Sequence, residues 1–307
     1  MARRIAALLI ATAFAFACGD DTAPTADADA ASSTTAGTPT EGSVAAESDP
    51  PGGDGDTTTS TEAPPAPTLP WPAPLTDGTA EWTIRVIDRI PHDESAYTQG
   101  LEYGDGVLWE STGLQGESTL RTLDPETGEV LESTDLAPTH YGEGLTLVDG
   151  LPIQLTWRDE VLYRWADDGT STLVDYDGEG WGICNTGDEL WMSDGTSILT
   201  RRDPTTFAVT ATVSVRRDGE PVGQLNELEC IGDHVVANRW KFDEIVVIDP
   251  TDGAVRATID AVALRLEVQP TNSEDVLNGI ADRGDGTLLL GGKRWPTFFV
   301  VEVVEVG

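Results

Sequence analysis

At 307 residues with 39% hydrophobic content, the chain is long enough to bury a substantial core, which excludes a wholly disordered protein. Its formal net charge is −36, and only 12 of the 54 acidic residues lie in the first 81 positions, so most of the excess belongs to the part that folds. Such an acidic surface argues against nucleic acid or anionic membrane as a partner and suits solubility, salt tolerance or attraction of cationic ligands.

Arg3 and Arg4 precede an apolar run, Ile5 to Ala17, that is too short to span a bilayer but matches a secretory signal, so the protein is expected to be exported. Ala15-Phe16-Ala17-Cys18 then puts small residues just before a cysteine, as at a bacterial lipoprotein processing site, although Ala15 stands where Leu is usual. Lipidation of Cys18 would anchor the protein at the extracellular face of the cell membrane; ordinary cleavage nearby would secrete it. Residues 19–80 are dominated by Thr, Ala, Asp, Ser, Pro and Gly, which bury too little apolar surface to offset chain entropy. They are expected to form a disordered tether, with one folded domain over 81–307.

An apolar strand, Trp82 to Ile90, opens that domain, and five similar segments follow. They are Gln99-Gly100-Leu101-Glu102-Tyr103, Glu143-Gly144-Leu145-Thr146-Leu147, Trp181-Gly182-Ile183-Cys184-Asn185, Asn226-Glu227-Leu228-Glu229-Cys230 and Asn278-Gly279-Ile280-Ala281-Asp282. Each leads into a Gly/Asp turn and a second apolar stretch, which is a β-hairpin pattern. The lead residues stand 44, 38, 45 and 52 positions apart, the size of a four-stranded propeller blade. Outer strands are expected at Thr119 to Leu123 with Val130 to Thr134, and at Ile245 to Ile248 with Ala254 to Ile259, joined by Asp-Pro-x-Thr-Gly turns or near copies. No long segment has a helical apolar period. The expected fold is therefore all-β: a five-bladed β-propeller whose ring closes by pairing of Trp82 to Ile90 with Phe298 to Val306 in one blade, removing exposed edges.

In such a ring the lead positions Gln99, Glu143, Trp181, Asn226 and Asn278 converge on the axis, offering one carboxylate, three amides and an indole. The returning hairpins add Trp157, Trp240 and Lys293. Trp157, Trp181 and Trp240 are read as pocket lining, and Trp82, Trp109, Trp165 and Trp191 as packing. Cys184 and Cys230 form one disulfide or remain two buried thiols, with the balance tipping slightly to the thiols.

These runs resemble the plant and bacterial, papaya-type family of glutaminyl-peptide cyclotransferases. The likeness covers nearly all of residues 82–302 and is carried, in order, by runs such as Tyr97-Thr98-Gln99-Gly100-Leu101-Glu102-Tyr103, Tyr141-Gly142-Glu143-Gly144-Leu145, Gln154-Leu155-Thr156-Trp157, Ser193-Asp194-Gly195, Ala237-Asn238-Arg239-Trp240 and Gly292-Lys293-Arg294-Trp295-Pro296. Tyr97 and Tyr141 stand where Phe is commoner, and Gly291 where Thr is usual. The resemblance implies cyclisation of an N-terminal Gln to pyroglutamate with release of ammonia, with Gln99, Glu143, Trp157, Trp181, Asn226, Trp240 and Lys293 at the site. Its partners would be peptides or proteins with a free N-terminal Gln, acted on by a monomer. Glu143 is the expected proton carrier; Gln99, Asn226 and Lys293 are candidate donors to the oxyanion, with Lys293 alternatively an ion-pair partner of Glu143 or Asp194. Asn278 joins the tryptophans as a candidate substrate contact.

His92, His140 and His234 show no metal-ligand spacing, so no catalytic metal and no cofactor are expected, while a structural Ca²⁺ in the channel stays open. A propeller hydrolase would want several channel carboxylates, and only Glu143 holds a lead position. The remaining alternative is a non-catalytic cell-surface propeller that binds a peptide or glycan.

Overall fold

The structure, a computed structural model, describes residues 72–74 and 76–306; the signal-like segment, Cys18 and most of the 19–80 stretch lie outside the described residues. The chain is all-β, with a single seven-residue helix, Val262–Val268, among the described residues. That helix, inserted before the last lead segment, accounts for the longest of the four spacings.

Three antiparallel sheets follow chain order with four strands each. The first runs Thr98–Gly104, Val107–Thr112, Thr119–Leu123 and Val130–Asp135. The second runs Gly142–Val148, Leu151–Thr156, Val161–Trp165 and Ser171–Asp175, and the third Ile183–Asn185, Leu190–Met192, Ile198–Arg202 and Val209–Ser214. Within each sheet burial falls outward: Gly142–Val148 is buried along most of its length, whereas Val130–Asp135 is exposed throughout. Inner strands therefore mix small and apolar residues with buried polar ones such as Gln99, Glu143 and Asn226, whereas the outermost strands of the first two sheets are exposed along most of their length.

A small two-stranded hairpin, Arg216–Arg217 with Glu220–Pro221, follows the third sheet, and an eight-stranded sheet holds the remaining strands. Leu225–Ile231, His234–Arg239, Glu244–Ile248 and Val255–Asp260 form one antiparallel half. Leu277–Asp282, Leu288–Gly292 and Thr297–Glu305 begin the other, and Ala80–Pro91 completes it, pairing antiparallel with Thr297–Glu305 from Trp82↔Glu305 to Pro91↔Thr297. Its first residues also pair in parallel with Val255–Asp260, which joins the halves. Thr79 Oγ1 donates to Val255 O at 2.9 Å and Arg256 Nη1 to Thr76 O at 3.0 Å, so the chain is held from just before Ala80.

The core consists of apolar layers between neighbouring sheets. Leu120, Leu136, Leu145 and Trp165 join the first to the second, Leu155, Leu162, Ile183 and Met192 the second to the third, and Trp191, Leu199, Leu228 and Val246 the third to the fourth group of strands. Val247, Ile259, Phe299 and Val303 fill the space across the eight-stranded sheet, and Leu101, Leu123, Leu289 and Phe298 return to the first. The innermost strands touch in the same succession, and Leu277–Asp282 contacts Thr98–Gly104 again.

Cys184 and Cys230 are disulfide-bonded with Cα atoms 5.3 Å apart, which corrects the slight preference for free thiols. They lie 46 residues apart on neighbouring innermost strands, a contact that spacing along the chain does not reveal. The bridge restricts the unfolded chain and pins the third sheet to the next.

Candidate active site

The lead residues owe their direction to local irregularity. The strand register slips between Thr98 and Gly100, Gly142 and Leu145, Leu225 and Leu228, and Leu277 and Ile280. Gln99, Glu143, Asn226 and Asn278 thus sit in β-bulges, which re-aim side chains out of the pleat. Glycine follows every lead residue except Asn226, which precedes Glu227, and lets the strands crowd together: a Cβ on Gly144 would lie 2.7 Å from Gly182 Cα, and one on Gly182 2.1 Å from Asn226 O.

Buried polar residues at the ends of the returning strands fix these bulges in place. Ser111 Oγ donates to Glu143 O, and Ser193 Oγ to Asn226 O at 2.6 Å. Asn238 Oδ1 accepts from Gly279 N at 2.9 Å. Each couples the returning chain of one group to the lead segment of the next, which gives a physical reason for the Ser193-Asp194-Gly195 and Ala237-Asn238-Arg239-Trp240 runs.

Gln99, Glu143, Trp157, Trp181, Asn226, Trp240 and Lys293 line one cavity of about 320 Å³, a size suited to a small ligand. Asn278 is fully buried and stands behind the wall, its Nδ2 donating to Thr98 O at 3.1 Å and Gln99 Oε1 at 3.4 Å. Gln99 Nε2 in turn donates to Glu143 Oε1 at 2.9 Å. This chain of amides orients the carboxyl and engages the Gln99 amide nitrogen, leaving it less free to serve an oxyanion.

Glu143 is only 6% exposed. Burial raises its pKa well above the usual carboxylate range, with Lys293 opposing the rise and Glu179 adding to it. Burial likewise brings Lys293 down to about 8, against the upward pull of Glu143 and Glu274. Lys293 makes no ion pair within 4.0 Å among the described residues; its Nζ lies 4.7 Å from the centre of the Tyr97 ring. Asn226 carries a buried Oδ1 with no partner among the described residues.

Aromatic faces form the remaining wall. Trp181 and Trp240 meet edge to face at 5.6 Å, and Tyr141 tilts against Trp157 at 5.5 Å. Trp181 lies over Gly195, where a Cβ would come within 2.7 Å of the indole. Tyr97, Tyr141, Arg158 and Glu274 also reach the cavity, none singled out as a site residue from the sequence. Tyr97 and Tyr141 were visible there as neighbours of lead residues. Glu274 arrives from the inserted segment after the helix, which has no counterpart in the other repeats and so no signal.

A model of the glutamine cyclotransferase family matches residues 58–303. A glutaminyl-peptide cyclotransferase from Arabidopsis thaliana is 39% identical over 231 residues, 72% of this chain and 72% of the relative. The crystal structure of the Myxococcus xanthus glutaminyl cyclase matches with a TM-score of 0.71 at 37% identity, covering 75% of this chain and 100% of that one.

Proposed function

The chain belongs to the glutamine cyclotransferase family, and from that premise we propose that it closes the N-terminal glutamine of peptides or proteins into pyroglutamate by metal-independent proton transfer through Glu143. The observation that carries this reading is a buried carboxyl, oriented by Gln99, opening into a tryptophan-walled cavity that also holds a lysine with no ion-pair partner among the described residues.

The α-amino nitrogen of the substrate attacks its own side-chain amide carbon, so nucleophile and electrophile are already tethered and the enzyme need only hold the cyclising conformer and move protons. A free α-amine has a pKa of about 7.7–8.0, and a carboxyl with a raised pKa is better matched to it than an ordinary one. Ionised Glu143 takes a proton from the amine as the carbon–nitrogen bond forms. It returns that proton to the departing amide nitrogen, which leaves as ammonia while the lactam carbonyl re-forms. Lys293 Nζ donates to the oxygen that carries negative charge in the tetrahedral intermediate, and Asn226 Oδ1 accepts a substrate N–H. Trp157, Trp181 and Trp240 exclude water and press the side chain towards the amine. Each of these roles follows from chemistry and position, and none requires a metal; the two domain cysteines are consumed by their disulfide.

For the scaffold we favour the five-bladed propeller closed by Ala80–Pro91 against Thr297–Glu305. The cyclic succession of innermost strands and apolar layers supports it. Export, lipidation at Cys18, a tether before the domain and a monomeric state are proposals drawn from sequence alone.

A coupled ammonia assay with a Gln-initiated dipeptide and its acetylated counterpart tests the activity. Ammonia is expected from the free peptide only, at a rate unchanged by chelator. Silence on the free peptide would point instead to a binding protein.

A further inference from the structure

Glu179 does not line the cavity itself but joins Trp157 and Trp181, two residues that do. Its Oε2 accepts from both indole N–H groups, at 2.9 Å from Trp157 Nε1 and 3.1 Å from Trp181 Nε1. Its other oxygen, Oε1, accepts from Arg158 Nε at 2.8 Å, and the Arg158 guanidinium lies 3.9 Å from the centre of the Trp157 ring. One carboxylate therefore ties together two walls contributed by different sheets and clamps Trp157 between a cation and the Tyr141 ring. The backbone carrying it is tightly held. Gly180 N donates to Trp157 O at 3.0 Å, and a Cβ on Gly180 would lie 2.3 Å from the Tyr176 hydroxyl.

We propose that Glu179 is a positioning residue, a clasp that sets Trp157 and Trp181 at the spacing that folds an N-terminal glutamine into its cyclising shape. The inference rests on the cyclotransferase reading above. An indole at a cavity wall can rotate unless its N–H is anchored, and an ionised acceptor anchors it more strongly than a neutral one. Burial opposes ionisation of Glu179, but the hydrogen bonds from Trp181, Arg158 and Trp157 together outweigh it and hold the carboxyl below its ordinary pKa, so it is ionised at neutral pH. The ion pair with Arg158 would on its own contribute little. A second consequence distinguishes the two roles. The charges facing Glu143 are Lys293 and Glu179, among the phenols of Tyr97, Tyr141 and Tyr176; burial is the main reason that Glu143 stays protonated to higher pH, Lys293 opposes it, and Glu179 adds a smaller push in the same direction.

The test compares Glu179→Leu and Glu179→Gln with wild type on a Gln dipeptide, following kcat, KM and the pH profile of kcat/KM. Leu removes both acceptors and should lower kcat/KM by about 10- to 100-fold, since small errors in substrate placement are costly. Gln keeps one acceptor oxygen and should recover most of that loss. In both variants the acid limb should move to lower pH, because the charge opposing ionisation of Glu143 is gone. Wild-type turnover with an unimpaired Leu variant, or with an unmoved acid limb, overturns the clasp alone. A Gln variant as impaired as Leu also overturns it. Silence of the wild type on the peptide overturns the clasp and the reading beneath it together.

Discussion

Two sets of carboxyl groups lie along the same innermost strands, all buried except Glu102, which is half-buried, and they behave as opposites. Glu143 faces the cavity, with Gln99 on one oxygen and substrate space beside it. Glu227, one residue beyond lead residue Asn226, has both oxygens engaged by backbone: Oε1 accepts from Leu101 N at 3.2 Å and Oε2 from Ile280 N at 2.9 Å. Further along, Glu229 Oε1 accepts from Asp282 N at 2.9 Å and Glu102 Oε2 from the Thr146 hydroxyl at 3.0 Å. Burial raises the pKa of all four. A perturbed carboxyl is thus a candidate for catalysis only where an oxygen can reach a ligand; elsewhere it substitutes for strand pairing where four strands cannot meet.

The largest expected effect breaks the pair apart. Glu143→Gln should lower kcat by about 10²- to 10⁴-fold while thermal unfolding stays at or above the wild-type temperature, because a buried acid has been replaced by its neutral isostere. Glu227→Ala should do the reverse. It orphans two buried N–H groups, costing roughly 1–3 kcal/mol each in urea unfolding, with turnover per folded molecule retained. A Glu227 variant that folds normally but loses turnover would dissolve the distinction.

Lys293→Met should cost about 10²- to 10³-fold in kcat, the scale for removing an oxyanion donor. The pH profile sharpens the point. Lys293 acts as a cation, so activity should fall as pH rises through about 8, and Lys293→Arg should carry that alkaline limb upward.

The smallest effect concerns Glu102, whose carboxyl is pushed up to about 7, chiefly by burial, against 4.5 unfolded. The folded protein holds this proton where the unfolded chain has lost it. Stability from this group is therefore greatest at low pH and is lost as pH rises towards 7, where a charge must be buried. Melting temperatures measured from pH 5 to 8 should decline, and Glu102→Gln should flatten the decline.

Much of this was legible without coordinates. The hairpins, the outer strands and the pairing of the first strand, Ala80–Pro91, with the last, Thr297–Glu305, follow from local patterns, since each hairpin carries its own turn and its own alternation of burial. Gln99, Glu143, Trp181 and Asn226 were found because equivalent positions in a repeat share a direction, and all four line the cavity. Asn278 shares the direction but not the depth, being covered by Gln99. Glu179 was passed over although it precedes Trp181 directly, because nothing in its spacing shows that Trp157, twenty-two positions earlier, returns to the same oxygen.

The sequence by itself determined the all-β class of the fold, its hairpins and many of the residues that line the cavity, because these depend on short-range periodicity and on which side chains tolerate burial. Only the tertiary structure decided which buried acid meets open space, that Lys293 rests on Tyr97 and not on Glu143, and that Cys184 reaches Cys230. Each of those outcomes turns on a few ångströms between residues tens of positions apart, a distance set by how whole sheets pack and not by any local pattern.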